Sequence, residues 1–404
     1  MFENKPFTTI ILILGLFFSH SISAQNGIDS KHYHVLRGRI DHALVKFETL
    51  KKGRIAFLGG SITYNPGWRD SLMQYFNLRF PETEFEFIQA GIPSFGSTEN
   101  AFRMERDLFQ KGAVDLLFVE AAVNDALKGR SDQEILRAME GIVRHARYYD
   151  PATDIVFMYF VDPQKIEDYH SHKKPHIIKL HDSIAKYYNI PAINLAQEVT
   201  DRLDAGEFSW ENDFKNLHPS PFGQGVYARS MISFLNVAFD QKISNVSTEP
   251  TAPLPSPMDP YCYDNGKLVE AYKITTTDGW KKIKNWKPDL KARTRNNYVN
   301  VPMMVGTYPT APIVFDFEGN AVGIAVAAGP DAGIIQYRID HGPWQNQDLF
   351  TKHSELYYLP WYYVLADGLQ TGKHRLEIKL SKNKNEKSVG KKCMIRYFFY
   401  NAPH

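Results

Sequence analysis

Four short clusters in this chain place a nucleophile, a base and amide donors in an order suited to acyl transfer. Gly59-Gly60-Ser61-Ile62-Thr63 sets a serine just past the apolar run Arg54–Leu58. The glycines let the chain turn sharply, which leaves Ser61 facing a crevice at the start of the next helix. Ala90-Gly91-Ile92-Pro93-Ser94-Phe95-Gly96-Ser97-Thr98 follows the second run and can present the Gly96 N–H where the chain packs too closely for a side chain. Ala121-Ala122-Val123-Asn124-Asp125 follows the third and projects the Asn124 amide. His218-Pro219-Ser220-Pro221-Phe222-Gly223 precedes a final apolar helix, and its proline aims the imidazole. Taken singly, each cluster reads as a turn, with Ser61 as a helix N-cap. Taken together they supply a hydroxyl, an imidazole to accept its proton, and donors for the oxygen of a tetrahedral intermediate.

The elements that must position these residues are alternating. Arg54–Leu58, Phe85–Gln89, Asp115–Ala121, Asp154–Phe160 and Ile190–Leu195 are short and nearly continuous in apolar residues, as parallel strands covered on both faces are. Between them run helical patterns: Ile135, Met139, Ile142 and Ala146 recur on one face, and Trp68, Leu72 and Tyr75 begin another. This order predicts an α/β fold, a doubly wound parallel sheet between two layers of helices. In such sheets the ligand site lies past the carboxyl ends of the strands, where the first three clusters fall. Thr248–Pro260 holds five prolines in thirteen residues and reads as an extended linker. Beyond it Ala311–Phe317, Ala321–Ala328, Ile334–Ile339, His374–Leu380 and Met394–Tyr400 are short, often alternating and bounded by turn residues, which predicts an all-β sandwich of jelly-roll kind. The division is residues 1–24, 25–247, 248–260 and 261–404.

The four clusters resemble the blocks of the SGNH (GDSL-like) hydrolase family over roughly residues 50 to 240, most specifically in GGSIT and HPSPFGQ. The resemblance implies a flavodoxin-like three-layer α/β/α domain with Ser61 as nucleophile and His218 as general base, then acid. It also implies an oxyanion hole from the N–H groups of Ser61 and Gly96 and the Asn124 amide. Gly60 stands where the family's GDS has Asp, and Ala122 where its third block has Gly. The family's acid sits three residues before the histidine, and here that residue is Lys215. Asp213, five before, is the candidate in its place. The alternatives are a backbone carbonyl, a carboxylate from elsewhere, or a Ser–His dyad. The G-x-S-x-G elbow of α/β-hydrolases is absent, as are nucleotide-binding loops, so no cofactor is implied.

Lys+Arg 47 against Asp+Glu 45 in 404 residues leaves a formal charge of +2, which argues against nucleic acid as a partner. Met1–Lys5, the apolar Phe7–Phe18 and Ser21-Ile22-Ser23-Ala24 read as a signal peptide cut after Ala24. The apolar run is too short to span a bilayer, and no later one suffices, so a periplasmic or secreted protein is expected. Cys262 and Cys393 leave a disulfide and two buried thiols equally open. His170, His172, His176 and His181 lack the spacing of a metal set and read as part of a polar loop, Asp162–His176. The aromatic stretch Tyr357-Tyr358-Leu359-Pro360-Trp361-Tyr362-Tyr363 reads as core or interdomain packing. The region around it resembles the sandwich domains that accompany carbohydrate-active esterases. The expected function is removal of an acyl group, acetyl first, from a glycan. Contacts to the sugar are expected from strand-end loops, including Asp162–His176, Trp68 and Arg69, and from the sandwich. A glycan-binding protein without catalysis and a lipid or thioester hydrolase are the alternatives. Oligomeric state is not legible.

Overall fold

The structure, a computed structural model, describes residues 27–240 and 253–404. Residues 1–24, read as a signal peptide, and the first part of the predicted linker lie outside them.

The first part of the chain is a six-stranded sheet with helices on both faces. Its strands are β1 (His34–Val35), β2 (Lys52–Gly59), β3 (Glu84–Gly91), β4 (Leu116–Val119), β5 (Asp154–Met158) and β6 (Ala192–Ile193). Their order is β1-β6-β5-β4-β2-β3, all parallel except β1, which pairs antiparallel with β6. The parallel part is therefore doubly wound. The chain leaves β2 to add β3 on one side and then returns to add β4 on the other. β4 and β5 are buried throughout, which is why their sequences are unbroken apolar runs. β6 is shorter than its apolar run. Pro191 has no N–H for the ladder, and the Asn194 side chain already caps the next helix by accepting from Gln197 N at 3.3 Å.

The helices are α1 (Asp41–Val45), α2 (Ser61–Tyr64), α3 (Trp68–Arg79), α4 (Ser97–Met104), α5 (Ala122–Lys128), α6 (Asp132–Tyr149), α7 (Pro163–His170), α8 (His176–Tyr187), α9 (Leu195–Asp204) and α10 (Pro221–Phe239). The predicted face of α6 (Ile135, Met139, Ile142, Ala146) is buried. The segment read as a polar loop, Asp162–His176, is mostly α7. Asp162 caps it by accepting from Lys165 N at 3.0 Å, and Pro163 starts it with its φ already helical.

The second part is all-β. Its strands are β7 (Gly266–Glu270), β8 (Trp280–Trp286), β9 (Arg293–Thr294), β10 (Val301–Thr307), β11 (Ile313–Gly319), β12 (Ala321–Ala328), β13 (Ile334–Ile339), β14 (Gln345–Asp348), β15 (Tyr357–Ala366), β16 (Gly372–Leu380) and β17 (Lys392–Asn401). They form a seven-stranded sheet, β8-β10-β17-β12-β15-β9 with β7 also on β17, and a four-stranded sheet, β11-β16-β13-β14. Every pairing in the two sheets is antiparallel except the short β9–β15 contact. Cys262 and Cys393 are separate buried thiols.

The two parts share one core. α4 is buried along its whole length, and its Phe102 ring meets Phe399 at 4.4 Å and Tyr263 at 4.9 Å. Tyr362, in the aromatic stretch, meets Phe95 at 5.4 Å. Rings in such contact contribute about 0.5–1.5 kcal/mol beyond the area they bury. α6 ties the rest. Arg137 donates to Asp259 (2.8 Å) and Asp367 (2.7 Å), and the Glu140 carboxylate accepts from the Asp259 N–H at 2.9 Å. Residues 255–259 of the linker are thus fastened to α6, with Arg144 donating to the Pro255 carbonyl at 2.7 Å.

Candidate active site

Ser61 opens α2 directly beyond β2, at the point where the strand order reverses. Its Oγ lies 2.7 Å from His218 Nε2, although 157 residues separate them in sequence. His218 sits in the segment before α10, followed by the buried Pro219 and by Ser220, whose side chain caps that helix by accepting from Gly223 N. The Asn216 side chain accepts from the His218 backbone N–H at 2.8 Å and fixes the main chain there. For Nε2 to accept from the hydroxyl, the neutral ring must carry its proton on Nδ1. Burial first, and the Arg295 cation second, hold His218 below the ordinary imidazole value, which favours the neutral form that can accept a proton.

Asn124, on the first turn of α5, places its amide against Gly60. A Cβ at residue 60 would overlap the Asn124 Nδ2, so glycine at that position lets the amide approach the start of α2. Gly60→Ala is expected to leave the fold intact and lower kcat roughly 10- to 100-fold, within the range for displacing one oxyanion donor. Steady-state kinetics on a small acetyl ester, beside a thermal melt, check this.

Two expectations for this site are corrected. The Gly96 N–H does not face the crevice: it donates to Glu99 Oε2 at 2.8 Å. Glu99 is the third residue of α4 and reaches back to the N-cap N–H, as a capping-box acid does. The close packing at Gly96 is real, since a Cβ there would overlap the Asp125 carboxylate, which accepts from Ser97 N at 2.8 Å. Of the other two expected donors, Ser61 opens α2 and the Asn124 amide lies against Gly60 beside it. Asp213, the candidate acid, is turned away from His218. Its carboxylate accepts from Ser209 N at 2.8 Å and Ser209 Oγ at 2.9 Å, bonds that hold its carboxyl below the usual range. Lys215 takes a left-handed φ of 83° between Asp213 and His218, so the two side chains are not presented to each other. Among the described residues, no acceptor bonds His218 Nδ1.

Ser61 and His218 line a cleft of about 380 Å³ with Tyr64, Asn65, Gly91, Ile92 and Pro93. Its other wall comes from the all-β part: Thr294 at the end of β9, and Arg295, Asn296 and Asn297 in the connection to β10. Sequence reasoning allowed for contacts from the sandwich but named none of these residues. The only signal was the polar run Arg293-Thr294-Arg295-Asn296-Asn297 among apolar strands. The residues named instead lie elsewhere. Trp68 is fully buried against Phe57, and Arg69 is buried with its guanidinium on the Thr63 and Tyr64 carbonyls. None of Asp162–His176 lines the cleft. His170, His176 and His181 pair separately with Asp204, Asp132 and Asp125, each at 2.9 Å.

Residues 57–226 match the family model of the GDSL-like Lipase/Acylhydrolase family. The match holds Ser61, Gly96, Asn124 and His218 and makes the α/β part a carboxylic ester hydrolase domain. No curated protein matches the chain. Among solved structures, a two-domain esterase (CEX) active on acetylated mannans is similar over both parts. The TM-score is 0.72 at 18% identity, with 93% of this chain and 99% of that one covered, and its co-crystal with mannopentaose gives the same figures. An acetylxylan esterase from Geobacillus stearothermophilus also matches, at TM-score 0.41 and 14% identity over 47% of this chain and 97% of its own. The two-part architecture, a doubly wound α/β domain followed by an all-β one, is thus a known arrangement.

Proposed function

We propose, on the premise of a GDSL-like acylhydrolase domain, that the chain is an exported serine esterase that removes acetyl groups from carbohydrate. The observation that carries this reading is the 2.7 Å contact between Ser61 Oγ and His218 Nε2 at the sheet's switch point. Ser61 Oγ attacks the acetyl carbonyl while His218 Nε2 takes its proton. The oxyanion is held by the Ser61 N–H and the Asn124 amide, each contributing roughly 10²–10³ in rate. Collapse leaves acetyl-Ser61 and releases the sugar hydroxyl, which takes the proton from His218. A water then attacks the acyl-enzyme, giving its proton to His218, and collapse frees acetate as His218 returns that proton to Ser61 Oγ. With Asp213 engaged by Ser209, the site works as a dyad.

Carbohydrate as the alcohol is supported by the cleft wall, which is mainly amides, hydroxyl and guanidinium, and by the likeness to an esterase active on acetylated mannans. Export is supported by residues 1–24. Among the described residues no helix is long and apolar enough to cross a membrane. The test is acetate release from a panel of acetylated glycans beside nitrophenyl esters of rising chain length. Acetate is expected from at least one glycan, with kcat/KM falling steeply from acetyl to octanoyl. Each added methylene meets a cleft that offers about 1–3 kcal/mol of discrimination at most, so rates that rise with chain length would turn the assignment to lipid.

A further inference from the structure

Among the described residues, Arg295 is the one cation on the wall of the cleft, and none of those lining it is acidic. Among the described residues its side chain makes no ion pair and no hydrogen bond. Its Nε is buried without a partner. Its only contact of note is with the Tyr357 ring, 5.6 Å from the guanidinium carbon. The guanidinium is partly exposed at the cleft and has no carboxylate beside it, so a bound anion would supply both the partner its Nε lacks and the opposite charge.

The chemistry makes this sharper. Arg295 lies close enough to disfavour a charged His218. Both steps of ester cleavage pass through that charged form, and no acceptor bonds its Nδ1 among the described residues. An anion brought in by the substrate would neutralise Arg295 at the moment His218 takes up its proton. We propose that Arg295 binds the carboxylate of a uronic acid residue in the acetylated glycan, so that the preferred substrate is acidic. The flat fork of a guanidinium matches a carboxylate with two parallel hydrogen bonds. Tyr64, Asn65, Asn296 and Asn297 are left to meet sugar hydroxyls. This rests on the acetylesterase reading above and names its substrate class.

The experiment compares acetate release from three substrates: an O-acetylated oligouronide with free carboxyls, the same compound with its carboxyls converted to primary amides, and an acetylated neutral oligomannoside. Wild type is expected to favour the free acid over its amide about 10- to 100-fold in kcat/KM, the range for a charge-assisted hydrogen-bonded pair. Part of that preference should appear in kcat, because the carboxylate offsets charge in the transition state. Arg295→Gln should bring the ratio near 1, and Arg295→Lys should keep part of it, with melting curves confirming that both variants fold. Equal rates on acid and amide, with acetate released from both, would overturn the inference and leave the esterase standing. A ratio unchanged in Arg295→Gln would overturn it too. No acetate from any of the three would overturn both readings together.

Discussion

Ser61→Ala is expected to lower kcat/KM by roughly 10⁴- to 10⁶-fold while the protein still folds. Among the described residues the hydroxyl's one hydrogen-bond partner is His218 Nε2, at 2.7 Å, and the residue sits on a four-residue helical turn at the rim of the cleft. Removing it opens no core cavity, so stability should stay within about 1 kcal/mol. His218→Ala should do nearly as much damage, and the double variant little more, because the two act as one unit. A serine-directed phosphonate should label Ser61 in the wild type and nothing in the variant. Labelling elsewhere would remove Ser61 from the mechanism. His218 is held below the ordinary imidazole value, so the acid limb of the kcat/KM profile should lie below that value, the rate falling as pH drops and the base is protonated. Asp213→Asn separates a dyad from a triad. With its carboxylate on Ser209, the expected change is a few-fold. A loss near the 10⁴ known for triad acids would mean that Asp213 swings to His218 during turnover.

How much of this was legible in the sequence depends on how local the determinant is. The places of Ser61, Asn124 and His218 in the fold could be read because each stands at a fixed offset from a strand end or helix start. The apolar runs fixed those ends closely. Gly96 illustrates the limit. Its cluster was recognisable and its close packing follows from Asp125, but the direction of its N–H depends on Glu99, three residues on, whose capping role reads equally well as an exposed charge. Asp213 failed for a related reason. Distance along the chain was the only guide, while the left-handed turn at Lys215 decides which way the two side chains face. Arg295 lay beyond reach altogether. It arrives from a part of the chain whose docking rests on Phe102, Tyr362 and Phe399, and no periodicity in sequence says which loop of a sandwich will sit over a distant strand end.

The same interface carries the largest expected effect on stability. Glu99→Gln should destabilise the protein by about 3–5 kcal/mol, the range for breaking a buried ion pair and leaving its partners charged. Glu99 Oε1 accepts from Lys128 Nζ and from Arg130, each at 2.5 Å, with the Glu99, Lys128 and Arg130 side chains 0%, 3% and 6% exposed. Arg130 keeps Glu134 as a second partner and touches the Tyr362 carbonyl, whereas Lys128 would be left with only the Trp361 ring, 4.5 Å away. Burial alone would raise the Glu99 carboxyl, but the Arg130 and Lys128 cations outweigh it and hold it down at about 2. Because the folded value lies below the ordinary 4.5, this stabilisation is present above pH 4.5 and is lost as pH falls from there toward 2. Wild type should therefore lose melting temperature through that window faster than Glu99→Gln, and the two should differ most near neutrality. A variant as stable as wild type at pH 7 would show the cluster to be dispensable. Activity adds a separate readout. Glu99 holds the Gly96 N–H that the family pattern assigns to the oxyanion hole, while a glutamine oxygen can accept the same bond. Glu99→Gln should thus keep kcat within a few-fold below its melting point, and a rise in kcat would mean that Glu99 withholds a working donor from the site.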